Sequence, residues 1–135
     1  MAAFNKFNSF GANLANKKHN LAADQLMVAL TNTIPTVGMV ALTELTQIAY
    51  TNLSGATPRN ITTISSSQTG GAYSLVLTDL TLTATGAVGP FQYVVLYNSA
   101  ATGFELIGWY AYASAVTMAN LETFLIDFAA TTLTM

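Results

Sequence analysis

A chain of 135 residues has the size of one domain and can bury about two-thirds of its unfolded surface. Charged residues make up only 7% of it, against 52% hydrophobic and against roughly 25% charge in an ordinary soluble domain. Thr, Ser and Asn must therefore supply most of the polar surface, and so few charges favour contact with another protein. The chain has no cysteine, which excludes disulfides and thiol catalysis.

Charge is divided along the chain. Residues 1–19 hold Lys6, Lys17 and Lys18 and no acid, a charge of +3, whereas residues 20–135 hold Arg59 against six acids, a charge of −5. Phe4, Phe7, Phe10 and Leu14 recur at steps of three, three and four, which predicts an extended or helical arm over residues 1–24 with one apolar stripe. The stripe packs either on the chain's own sheet or on a partner. Three lysines beside it favour a partner that bears acids, with Phe4, Phe7, Phe10 and Leu14 as anchors and Lys6, Lys17 and Lys18 as ionic contacts. Deleting residues 1–18 is then expected to leave the remainder folded. Three lysines on an acidic body are too few for strong nucleic-acid binding.

The body, residues 25–135, reads as short β-type runs parted by turn residues. QLMVALT (25–31), RNITTISSS (59–67), AYSLVLT (72–78), LTLTAT (80–85), FQYVVLYN (91–98), FELIGWYAY (104–112), SAVTM (114–118), ETFLIDF (122–128) and TTLTM (131–135) are the predicted strands. Residues 38–50 mix spacings and predict a short helix or irregular crossover. Leu80 and Leu82 alternate with Thr81 and Thr83, one face to the core and one to water. FQYVVLYN is apolar on both faces, as in a central strand covered on its outer side or a strand at a subunit contact. The predicted fold is all-β, an antiparallel sandwich of jelly-roll or Ig-like type carrying the N-terminal arm.

Mean hydropathy is +0.45, yet no run reaches the roughly twenty apolar residues of a spanning helix, so no membrane partner is expected. The start alternates Phe with Asn rather than opening on a basic then apolar run, which predicts a chain without a secretory signal that folds in a cytoplasm. The lone His19 lies among lysines in the arm, far from the rigid setting a Ser-His-Asp relay needs. Six singly scattered acids read as solvent-facing; Glu122 with Asp127, or Glu44 with Asp79, are the pairs that chain folding can bring together. No metal-ligand spacing and no phosphate cradle occurs, so no cofactor and no catalysis are expected. Trp109, Tyr110 and Tyr112, with Tyr93 and Tyr97 near in sequence, fill a core or form a platform for sugars, and Trp109 reads as core.

The order of segments NKFNSF, KKHNLAADQLMVALTNTIP, RNITTISSSQTGGAYSLVLTDLTLTATG, GPFQYVVLYN, LIGWYAYASAVT and ETFLIDFA resembles small structural proteins of tailed bacteriophages, over nearly the whole chain. That resemblance implies a virion component, a capsid cement or decoration protein made in the bacterial host cytoplasm. Its implied partners are the major capsid protein and neighbouring copies of itself. A tail-tube or tail-fibre component and a carbohydrate-binding module are the alternatives, with a small hydrolase further behind.

Overall fold

The computed structural model describes residues 3–128, 133 and 134. Among the described residues, ten antiparallel strands and one short α-helix follow in order: β1 (Phe4–Lys6), α1 (Phe10–Ala15), β2 (Leu26–Thr31), β3 (Asn60–Ile61), β4 (Thr63–Thr69), β5 (Ala72–Leu77), β6 (Leu80–Thr83), β7 (Val88–Asn98), β8 (Leu106–Met118), β9 (Thr123–Ile126) and β10 (Leu133–Thr134). The fold is all-β, as the strand spacing predicts. A five-stranded sheet of order β1-β8-β7-β2-β3 is accompanied by a three-stranded sheet, β10-β5-β4, and a β6-β9 pair.

Period-two alternation splits the large sheet between two cores. Val28, Leu30, Val94 and Leu96 join Leu75, Leu77, Leu82 and Ile126 of the smaller sheets in one cluster. The intervening Ala29, Val95 and Tyr97 point the other way, to a second cluster with Leu106, Trp109, Leu45 and Phe7. This explains why FQYVVLYN is apolar on both faces: β7 is internal in the sheet, and its second face is covered by the chain itself. Part of the cover is the long connection after β2. It runs back along the sheet through Ile48 N–H to the Leu30 carbonyl (3.0 Å) and Leu106 N–H to the Val40 carbonyl (2.8 Å). A single 3-10 turn, Leu42–Glu44, is its regular part, in line with the short helix or crossover expected there. The Glu44 carboxylate fixes that turn by accepting from the Val40 and Ala41 N–H groups, which also holds its pKa below the usual carboxylate range.

Two expectations need correction. Residues 104–112 and 114–118 are not two strands; β8 is continuous, and its register against β7 shifts between the Tyr93–Ala111 and Phe91–Val116 pairs. Ala113, the break between the two predicted runs, therefore lies in a bulged stretch of one strand, not in a turn. The N-terminal stripe is not one helix either. Phe4 lies in β1, paired with Tyr110, and α1 begins only at Phe10. Predicted strand 131–135 falls partly outside the described residues; Leu133 and Thr134 pair with Leu75 and Ser74.

Two glycine sites illustrate how sequence sets geometry. Gly70 and Gly71, with φ of 60° and 86°, close the β4–β5 hairpin between Thr69 and Ala72, where both central residues of the turn need positive φ. Gly108 lies opposite Lys6, and a Cβ there would sit 2.5 Å from the Asn5 carbonyl oxygen and collide with the Phe4 ring. Gly108→Val is therefore expected to expel β1 and cost about 1–3 kcal/mol. Urea unfolding, with limited proteolysis at residues 3–9, measures both effects.

Candidate functional site

The arm is part of the body. Phe7 and Phe10 are both 0% exposed, Phe7 against Trp109 (centroids 4.6 Å apart) and Phe10 stacked on His19 (5.4 Å). Both rings are thus withheld from any partner in this fold, which corrects the expectation that they anchor one. The reason is area: the second face of a two-sided apolar sheet needs cover, and Phe7 supplies part of it together with Leu45. Phe4 is half-buried beside Tyr110, and Leu14 is half-buried against the larger core. Lys6, Lys17 and Lys18 are exposed.

His19, read from sequence as part of a mobile basic segment, is instead 95% buried at the junction of the arm with the β7–β8 loop. Asn98, fully buried at the end of β7, organises this junction. Its Nδ2 donates to Asp24 Oδ2 (2.7 Å) and lies 3.0 Å from His19 Nδ1, while its Oδ1 accepts from the Ala100 N–H (2.9 Å). A carboxylate only accepts and an amide N–H only donates, so the orientation of the Asn98 amide is fixed. His19 Nδ1 must then be the acceptor, and its proton rides on Nε2. Burial lowers the pKa of His19 from 6.5, opposed by the charges of Glu105 and Asp24. Both His19 Nε2 and Glu105 Oε2 are buried without a hydrogen-bond partner among the described residues.

Two clefts flank this junction. One, of about 530 Å³, is lined by Leu14, Lys17, His19, Leu21, Ser66 and Tyr73, among others; the Ser66 and Tyr73 hydroxyls are bonded to each other at 2.7 Å. The other, of about 390 Å³, is lined by Lys17, Lys18, Asp24 and residues 100–102. Lys17 is a wall of both. Its φ of 64° places it at the left-handed C′ position of α1, where Lys18 N–H bonds the Asn13 carbonyl (2.8 Å) and Lys17 N–H the Leu14 carbonyl (3.3 Å). Glycine is the residue such a terminus favours.

Phe104 is a second non-glycine residue in the left-handed region, with φ of 49°, and its ring stays 43% exposed beside Tyr97. The Ala41–Glu105 bridge lays the segment carrying Val37 and Val40 alongside it. Val37 and Val40 are 51% and 42% exposed on that segment, and Ile34, 68% exposed, lies earlier in the same connection.

The other chemistry-bearing residues serve the fold. Asp79 Oδ1 accepts from the Phe128 N–H and Glu122 Oε1 from the Ala119 N–H, so acids that read as free surface charges tie down turns. Trp109, Tyr97 and Tyr110 are buried and present no open stacking platform. Burial, with the neighbouring Tyr112, Asp127 and Asp79, pushes the Tyr110 hydroxyl up to about 12. Among the described residues no three His, Asp or Glu gather as a metal-holding group, and no helix is long and apolar enough to cross a membrane. The His19–Asn98 junction escaped the sequence reading because its members lie 79 positions apart.

Comparison of the chain with protein-family models, with curated proteins and with solved structures finds no match.

Proposed function

We propose that the chain is a structural virion protein of a tailed bacteriophage, a capsid cement protein that seats its β body on the head lattice and bridges neighbouring capsomers. The observation that carries this reading is Phe104, 43% exposed in a left-handed backbone conformation beside the segment that exposes Val40, on a protein with very little charge. A large aromatic held outward in a backbone conformation that disfavours it is a costly way to fill a loop and a good way to present a contact anchor. The order of segments resembling tailed-phage structural proteins supports the same reading, as does a body compatible with a rigid sandwich. In this role the major capsid protein is the partner, adjacent copies are in contact, and no reaction is catalysed.

Cryo-electron microscopy of the purified particle of the phage encoding the chain tests the proposal. Ordered copies over the head, lost when Phe104→Ala is introduced, are the expected result. Copies in a tail tube or fibre, or a particle without the chain, would overturn it.

A further inference from the structure

Lys17 is one of three non-glycine residues with positive φ among the described residues. It occupies a left-handed helix terminus that glycine would fill at lower cost, and its side chain borders both clefts beside His19. Together with Lys18 it contributes half of the four Lys and Arg residues of a chain whose residues 20–135 carry −5. The larger cleft has apolar walls in Leu14, Leu21 and Ala22 and hydroxyls in Ser66 and Tyr73. We infer that this cleft is a docking site for an acidic, leucine-like segment of a partner protein, with one carboxylate on Lys17, a second on Lys18 at the adjoining smaller cleft, and its apolar side chains between Leu14 and Leu21.

The chemistry selects this occupant over other anions. A nucleic-acid backbone would meet Asp24 in the smaller cleft and the acidic body around it, whereas a short peptide carries few charges and adds apolar area. The Ser66–Tyr73 hydroxyl pair retains acceptor capacity for a peptide N–H. The inference extends the virion reading, in which the segment would belong to the coat, but is tested apart from it.

The test uses the full-length 15N-labelled chain, titrated at low salt with Ac-Glu-Leu-Asp-Leu-Glu-NH2 and with the counterpart in which Gln and Asn replace the acids. The acidic peptide is expected to shift amides of residues 14–22, Ser66 and Tyr73, and to lose most of its effect at about 0.5 M salt, where charges are screened beyond a few ångströms. Lys17→Gly is expected to bind about tenfold more weakly, as loss of one charged hydrogen bond implies, while melting at the same or a higher temperature because the backbone strain is relieved. Lys17→Gln, which keeps that strain, should lose binding equally with no gain in stability. Equal shifts from the uncharged peptide, shifts centred elsewhere, or undiminished binding by both variants would overturn the inference. Should the chain prove absent from particles while the peptide still docks here, the virion reading falls and this site stands; a chain found on heads whose cleft ignores the peptide gives the reverse.

Discussion

Phe10→Ala is expected to cost about 3–5 kcal/mol of folding free energy, the range for truncating a fully buried phenylalanine, and Phe7→Ala a similar amount. Phe10 has no exposed surface, packs in the cluster that includes Leu21, Leu26 and Val28, and covers one face of His19. Phe7 closes the second face of the large sheet over Trp109 and Leu45. Phe104→Ala provides the contrast: the residue is 43% exposed, so a smaller loss of about 1–1.5 kcal/mol is expected. Deleting residues 1–18 removes β1, both buried rings and α1 together, and should lower the melting temperature steeply. Urea denaturation of the four proteins decides the matter. A truncated chain that unfolds like the whole would show that the arm is dispensable to the core.

A second expected result concerns pH. The folded chain holds His19 neutral because its Nδ1 accepts from Asn98, and burial sets its pKa below the 6.5 of a free side chain. Between the folded value and 6.5 the unfolded chain binds more protons. The associated stability is therefore complete above about 6.5 and is lost as pH falls toward and through the lowered folded value. Protonation puts a second donor against the Asn98 amide, which cannot turn over without opposing its oxygen to Asp24. The groups facing His19 are Asp24 from the arm and Glu105 from the β7–β8 loop, whose charges moderate the effect, with Phe10 stacked on the ring. His19→Gln, which retains an acceptor and does not titrate, is expected to narrow the difference in melting temperature between pH 7.5 and pH 5.5. Asn98→Ala should cost about 1–3 kcal/mol for each buried partner it leaves unbonded. A wild-type chain equally stable at both pH values would refute this account of the junction.

Strand identity and the two-sided apolar character of β7 are legible in residue order because they depend on local alternation and turn chemistry, which a run of six to eight residues carries by itself. Gly70-Gly71 announces its hairpin for the same reason. The charge division between residues 1–19 and the rest, and the scarcity of charge, are likewise properties of the chain alone. Spacing of the phenylalanines identified large apolar side chains that need cover, but periodicity over ten residues does not distinguish a helix on a partner from a short strand and turn on the chain's own sheet. Tertiary packing decided that, through Gly108, whose missing side chain admits Phe4 and Asn5 against β8. The same holds for His19: its neighbours in sequence are lysines, and its neighbours in space are Asn98 and Phe10. Burial and hydrogen-bond partners are long-range quantities, set by which strands lie side by side, so the junction that fixes the arm came into view only with the folded chain.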